Sequence, residues 1–366
     1  MKNALFTLLL LFLFSPIIGQ DSLNMRVLFH WDDPTILPSP FIGNPFQEIW
    51  GWYQADKEKE YAILGSSSGI HFFDITDVEN AYQCAYVPGR ISGAIHRDFK
   101  NKDQYLFAVS DEDTGSLQII DMSKLPATVE VIFDSDTFFQ RSHNVWIEGN
   151  LLYTCVPRFT PTSAGSYYGL AIFDISDPAN PSRLSAFPPS VYGDVHDLYT
   201  RNDTAWLNGS NDGLFVVDFS NPQAPVNLAH FQNYTFSGYN HSGWLSDDGK
   251  TYILADENHG LPLKVCDVSD LSDIEVVSYL SPGMTIPVAD TLAIPHNPLI
   301  LGDYVFTSYY YDGIYVFDIS DPVNPTIAGF YDTYPDPNLG FYRGAWGVYP
   351  FLPSGHILAS DMETGL

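Results

Sequence analysis

Short runs that are apolar at every position, each opened by glycine and closed by aspartate, punctuate the chain: Gly169-Leu170-Ala171-Ile172-Phe173-Asp174, Gly213-Leu214-Phe215-Val216-Val217-Asp218 and Gly313-Ile314-Tyr315-Val316-Phe317-Asp318. A half-buried strand alternates apolar and polar positions, so a run without alternation predicts a strand covered on both faces. Upstream of such runs lie second apolar segments at 151–156, 204–207, 251–255 and 304–308, and downstream lies a third kind, exemplified by 325–331. No long 3.6-residue periodicity appears, and Gly, Pro, Asn and Asp interrupt the chain every eight to twelve residues. Helix is therefore not expected.

The closing aspartate recurs at Asp74, Asp121, Asp174, Asp218, Asp267 and Asp318, at spacings of 44 to 53 residues, and opens turns such as DISDPANP and DISDPVNP. Asp and Ser side chains bond nearby backbone N–H groups and proline pre-sets a turn dihedral, so each copy ends one strand and turns into the next. A strand-rich period near 50 residues predicts the blades of a β-propeller. A second motif keeps the same period: His96, His143, His196, His241 and His296 mark the start of an inner strand, and Trp50 and Trp346 take that place in two further copies. Seven copies predict an all-β, seven-bladed propeller with inner strands starting at those seven residues. The copy that begins at Trp346 stops at Gly365-Leu366 before its apolar run, so the last blade is expected to be incomplete. Residues 25–33 match the pattern of 327–332 and are expected to serve as its outer strand, closing the ring with an irregular pairing and an exposed edge.

Residues 1–20 carry Lys2, an apolar stretch from Ala4 to Phe14 and a short exit to Gln20, which predicts a secretory signal peptide ahead of a single domain over 21–366. Eleven apolar residues fall short of the ~20 a membrane-crossing helix needs, and nothing later in the chain resembles one. The 44 acidic residues against 16 Lys and Arg give a formal charge of -28, without any basic cluster. Nucleic acid, which requires a basic footprint, is excluded as an expected partner. Cys84, Cys155 and Cys266 are too few, and too irregularly spaced, for a disulfide framework or a metal motif; they read as packed thiols.

DISDPANP, the His-Asn inner strands, SGYNHSGWLSDDGK (237–250), SYYYDGIYVFDISDP (308–322) and GAWGVYPFLPSGHILASDMETGL (344–366) resemble the choice-of-anchor B proteins, built of LVIVD-type repeats. The resemblance covers 25–366. It implies an exported bacterial propeller, secreted or displayed at the cell surface, whose anchor lies in a C-terminal segment beyond Leu366; it implies no particular activity.

Chemistry can gather where the inner strands begin, because the loops between second and third strands lie on the same face of a propeller. Those loops carry Asp111, Asp256 and Glu257, so a divalent-metal site from His96, His143, His196, His241 and His296 with these carboxylates is one reading. A residue repeated in five blades is more simply a structural element, each imidazole hydrogen-bonded within its own blade interface and too far from the others to share an ion. No phosphate loop, nucleophile elbow or organic-cofactor motif is present. The expected function is a secreted or cell-surface binding or scaffolding module for an extracellular protein or glycan, with a metal-dependent hydrolase or oxidase at the channel mouth as the alternative.

Overall fold

The computed structural model describes residues 21–160, 166–286, 292–334, 336–338 and 340–366; residues 1–20, where a signal peptide is expected, lie outside them. Six antiparallel sheets form the blades, with inner strands Phe46–Gln54, Arg97–Lys102, Val145–Glu148, Asp197–Arg201, Asn240–Leu245 and Pro298–Leu301. In each, the chain passes outward strand by strand, as the fourth-blade order Asp197–Arg201, Thr204–Asn208, Leu214–Asp218 and Val226–Phe231 shows. The all-apolar runs are the third strands of blades three, four and six, while those of blades one, two and five carry His71, Gln118 and Lys264; Leu170, Ala171, Ile172 and Phe173 are fully buried because both sheet faces pack on neighbouring blades. Each closing aspartate ends its strand through one hydrogen bond, accepted from the N–H two residues on: Asp74 from Thr76, Asp121 from Ser123, Asp174 from Ser176, Asp218 from Ser220, Asp267 from Ser269 and Asp318 from Ser320, at 2.7 to 3.2 Å. Hydrogen bonds from the serine two residues on, by N–H and hydroxyl at Asp174, Asp218 and Asp267 and by hydroxyl and N–H at Asp318, hold these carboxyls below the usual carboxylate range.

The propeller has six blades, which corrects the expected seven. The copy at Trp346 folds only as a two-stranded hairpin, Ala345–Tyr349 with Leu358–Asp361. A blade requires a third and fourth strand, and this copy has neither among the described residues. The hairpin nonetheless completes the circle of apolar contacts. Val348 packs with Leu299 and Phe306 of blade six, and Leu358 packs with Phe46, Leu64 and Phe73 of blade one.

The N-terminal pairing also differs from expectation. Ser22 and Leu23 add to the outer strand of blade six opposite Tyr331 and Phe330, instead of residues 25–33 pairing with the hairpin as a strand. Asn24 breaks the ladder with a φ of 56°, and its side-chain amide donates to the Ala328 carbonyl at 2.8 Å. From there the segment runs past the hairpin to Trp31, which exchanges backbone hydrogen bonds with Leu366 at 2.8 and 2.9 Å.

Trp50 requires a third correction. It lies inside the first inner strand, donates Nε1–H to Asn101 Oδ1 at 2.8 Å and packs on Tyr349, away from the histidines. The register of that strand shifts between Phe46 and Ile49, as it does across His241 in blade five and Trp346 in the hairpin. Gln47 thus occupies the corresponding place.

Candidate metal centre

The repeat places one imidazole where each of blades two to six turns into its inner strand, and the five rings meet around the axis. Successive ring centroids are 4.1 Å apart for His96 and His143, 4.0 Å for His143 and His196, 4.1 Å for His196 and His241, and 4.6 Å for His241 and His296. Trp346 closes the circle, 4.9 Å from His296 and 5.4 Å from His96.

Two of the five imidazoles are held by hydrogen bonds. His143 Nδ1 meets Asp111 Oδ2 at 2.9 Å, and Asp111 is itself held by Arg141 Nε–H at 2.5 Å. His296 Nδ1 meets the Trp346 carbonyl at 2.5 Å. By contrast, the Nδ1 atoms of His96, His196 and His241 are buried without a hydrogen-bond partner. A buried polar atom left unpaired costs about 1–3 kcal/mol, so each of the three calls for a partner from outside the protein's own groups, a water or a bound ion.

Among the described residues, one group of three potential ligands draws together: His196, His241 and Glu257, whose ligand atoms all lie within 4.8 Å of one another. Bonds of roughly 2.0–2.2 Å to a shared ion place ligand atoms about 3–4 Å apart, the range in which His241 Nε2 and Glu257 Oε2 already stand at 3.6 Å. Glu257 is oriented by Tyr310, whose hydroxyl donates to Oε1 at 2.6 Å, leaving Oε2 3.6 Å from His241 Nε2. Tyr310 is the kind of supporting partner that fixes a ligating carboxylate.

Burial sets the protonation of these groups. It pushes His96, His196 and His241 well below the ordinary imidazole range, and the neighbouring imidazoles repel a second charge in the same direction. His296 is lowered to about 3 by burial. Burial acts on His143 too, but the Asp111 carboxylate outweighs it and raises its pKa. Glu257 is pushed up to about 7 by burial. His96, His196, His241 and His296 therefore present neutral imidazoles, the form that ligates metals, whereas Asp111 favours the charged form of His143.

Asp256 does not join the ring. It is fully buried in the fifth blade, where Oδ2 lies 2.5 Å from Lys264 Nζ and Oδ1 accepts the Tyr234 hydroxyl at 2.9 Å. Asp111 reaches the ring only through His143. The cysteines stay packed and unpaired, Cys155 and Cys266 buried and Cys84 partly so, and burial raises the Cys266 thiol to about 12.

Deeper in the channel lies a polar cluster that no sequence motif marks. Lys100 Nζ is 2.6 Å from Asp98 Oδ1 and 3.6 Å from Glu48 Oε1, while Asp98 Oδ2 accepts the Val145 N–H at 2.7 Å. Burial raises Glu48 to about 8 and Asp197 to about 6. Glu48, Lys100 and Asp197 border a cavity of about 40 Å³ shared with Trp146 and Trp244, whose rings meet at 5.3 Å. Their only hint in the sequence is the position of Asp98, Lys100 and Asp197 on inner strands.

Comparison with known proteins accords with this architecture. The chain carries LVIVD repeats. They are matched over residues 141–186, 193–231 and 299–333, which span blades three, four and six. No curated protein matches the sequence significantly. Similar solved structures include a candidate 6-phosphogluconolactonase of Bacteroides uniformis (TM-score 0.58, 17% identity, covering 81% of this chain and 85% of that one). A Lactobacillus plantarum protein (TM-score 0.58, 14% identity, 87% and 97%) and the periplasmic gluconolactonase of Pseudomonas aeruginosa (TM-score 0.51, 15% identity, 75% and 82%) are also similar. At these identities the LVIVD-repeat chain shares their fold alone. Among its described residues no helix is long and apolar enough to cross a membrane.

Proposed function

We propose that this protein is an exported binding module of the choice-of-anchor B kind that holds a divalent transition-metal ion at the channel mouth on His196, His241 and Glu257. The observation that carries the reading is the gathering of His196, His241 and Glu257, with one ligand atom of each within 4.8 Å of the others, on two histidines that each also keep a buried, unpartnered Nδ1. Two imidazoles and one carboxylate suit zinc, nickel or iron, and a calcium or magnesium site would use oxygen donors alone. Three protein ligands leave a coordination position for an oxygen or nitrogen donor of an extracellular protein or glycan. Export is supported by the leader composition of residues 1–20 and by the acidic charge, which keeps a secreted chain soluble.

Chelator-stripped protein dialysed against Co(II) or Ni(II) is expected to take up one ion per chain. His241→Ala is expected to weaken uptake by at least ~100-fold, since loss of a supporting partner alone costs 10–100-fold. His356→Ala, a change outside the ring, should leave it unaltered. Sub-stoichiometric uptake, or equal uptake by His241→Ala, would overturn the reading.

A further inference from the structure

We infer that the channel below the histidines binds a primary alkylammonium group, carried by a free diamine or by the lysine side chain of a partner protein. The inner strands bring a second repeated set of side chains to the axis. Three residues beyond the ring position stand Trp50 after Gln47, Trp146 after His143, Tyr199 after His196, Trp244 after His241 and Tyr349 after Trp346. With Phe351 they form a chain of ring contacts. Centroids are 4.8 Å apart for Trp50 and Tyr349, and 5.3 Å apart for Tyr349 and Phe351, for Phe351 and Trp244, and for Trp244 and Trp146. Tyr199 packs on the last two, 4.7 Å from Trp244 and 5.3 Å from Trp146.

One ammonium is already seated in this setting. Lys100 Nζ lies 4.6 Å from the centroid of the Trp50 ring, with Asp98 Oδ1 at 2.6 Å and Glu48 Oε1 at 3.6 Å. An aromatic face and a carboxylate together select an ammonium over a neutral group. Blades three to five repeat these parts without a cation. Asp197 borders the same cavity as Trp146 and Trp244, and no ion pair among the described residues engages it. Asn297, which also borders the cavity, keeps a buried Oδ1 without a donor. Glu48, Asp98 and Asp197 thus share one lysine, and burial pushes the Glu48 carboxyl up to about 8, as it does in a pocket short of positive charge.

The size of the cavity limits the ligand. A single water needs about 10–15 Å³ of such space, so a cavity of about 40 Å³ takes a head group of a few atoms and no sugar ring. Trp50, Trp146 and Trp244 are only half-buried, so their faces stay open along the channel. They lie further along the inner strands than the histidines and flank an unbranched methylene stem that follows the head group. The formal charge of -28 draws cations toward the protein, and the three channel carboxylates give one of them a specific place.

The probe is cadaverine, titrated into the metal-free full chain at an ionic strength that screens surface charge, with tryptophan emission as the readout. Saturable binding of one diamine per chain is expected, and pentanediol, its neutral counterpart, should bind at least about tenfold more weakly. Asp197→Asn should weaken cadaverine by at least about tenfold and keep the wild-type urea midpoint, because the asparagine oxygen still accepts the Leu198 N–H that Asp197 Oδ1 takes at 2.7 Å. Trp244→Leu, which removes an aromatic face and no charge, should weaken it as well. A capped peptide with a single lysine is the second arm: tighter binding than cadaverine supports a partner's lysine as the source, and weaker binding supports a free diamine. Because the titration uses metal-free protein, its outcome is independent of Co(II) uptake at the histidines. Diol binding as tight as that of cadaverine, or cadaverine binding that is non-saturable or indifferent to Asp197→Asn, overturns the inference.

Discussion

Lys264→Met is expected to destabilise the propeller by about 3–5 kcal/mol, the cost of leaving one member of a buried ion pair uncompensated. Lys264 and Asp256 side chains are both fully buried, with Nζ and Oδ2 2.5 Å apart. Burial pushes the Lys264 ammonium below its ordinary pKa, and Asp256 works against that shift, so each charge depends on the other. Removing the cation strands a carboxylate whose remaining partner is the Tyr234 hydroxyl. The double change Lys264→Met with Asp256→Leu should recover most of the loss, because replacing a whole buried pair with apolar side chains is often neutral or better. Urea unfolding of metal-free protein measures both. A single-variant loss below about 1 kcal/mol, the range of exposed pairs, would show that water reaches the pair and that blade five is not sealed there.

Gly313→Ala is expected to cost about 2–4 kcal/mol, combining a left-handed backbone with overpacking. Gly313 has a φ of 83°, and a Cβ there would run into the Tyr331 carbonyl oxygen of the outer strand. The same glycine opens the third strand of blade four, where Gly213 has a φ of 82° and a Cβ would meet the Phe231 carbonyl. Close approach of the outer-strand backbone is therefore why the repeat places glycine before its apolar run. Gly302 provides the control, since its φ is 58° but nothing lies within 4 Å of a Cβ. Gly302→Ala should cost only the conformational term, about 1 kcal/mol. Equal unfolding midpoints for the two variants would remove the steric part of the argument.

The fold class was legible in the sequence because its causes are local and repeated. A run such as Leu214 to Val217 is apolar at every position wherever a blade is covered on two faces, and Asp218 stops it by bonding an N–H two residues away. Neither effect depends on distant parts of the chain, so the aspartate turn can be read six times over and the uninterrupted apolar run in blades three, four and six. The positions of the five histidines were legible for the same reason, as one register point of the repeat.

Blade number and site were decided by tertiary structure, because both depend on which edges and side chains meet across long separations. Trp346 opens a repeat in the sequence, yet a blade needs four paired strands, and Ser22-Leu23 pairs with blade six while Asn24 turns the chain out of the ladder. Recurrence of the histidines favoured five separate hydrogen bonds. Around the axis the rings lie 4.0 to 4.6 Å apart, three keep an unpartnered nitrogen, and one loop brings Glu257 among them. Its neighbour Asp256, equally acidic in the sequence, turns instead to Lys264 in the sheet. Asp256 is the last residue of its strand and Glu257 opens the loop beyond it, so the adjacent carboxylates enter different environments, and only the packed blades determine which one reaches the channel.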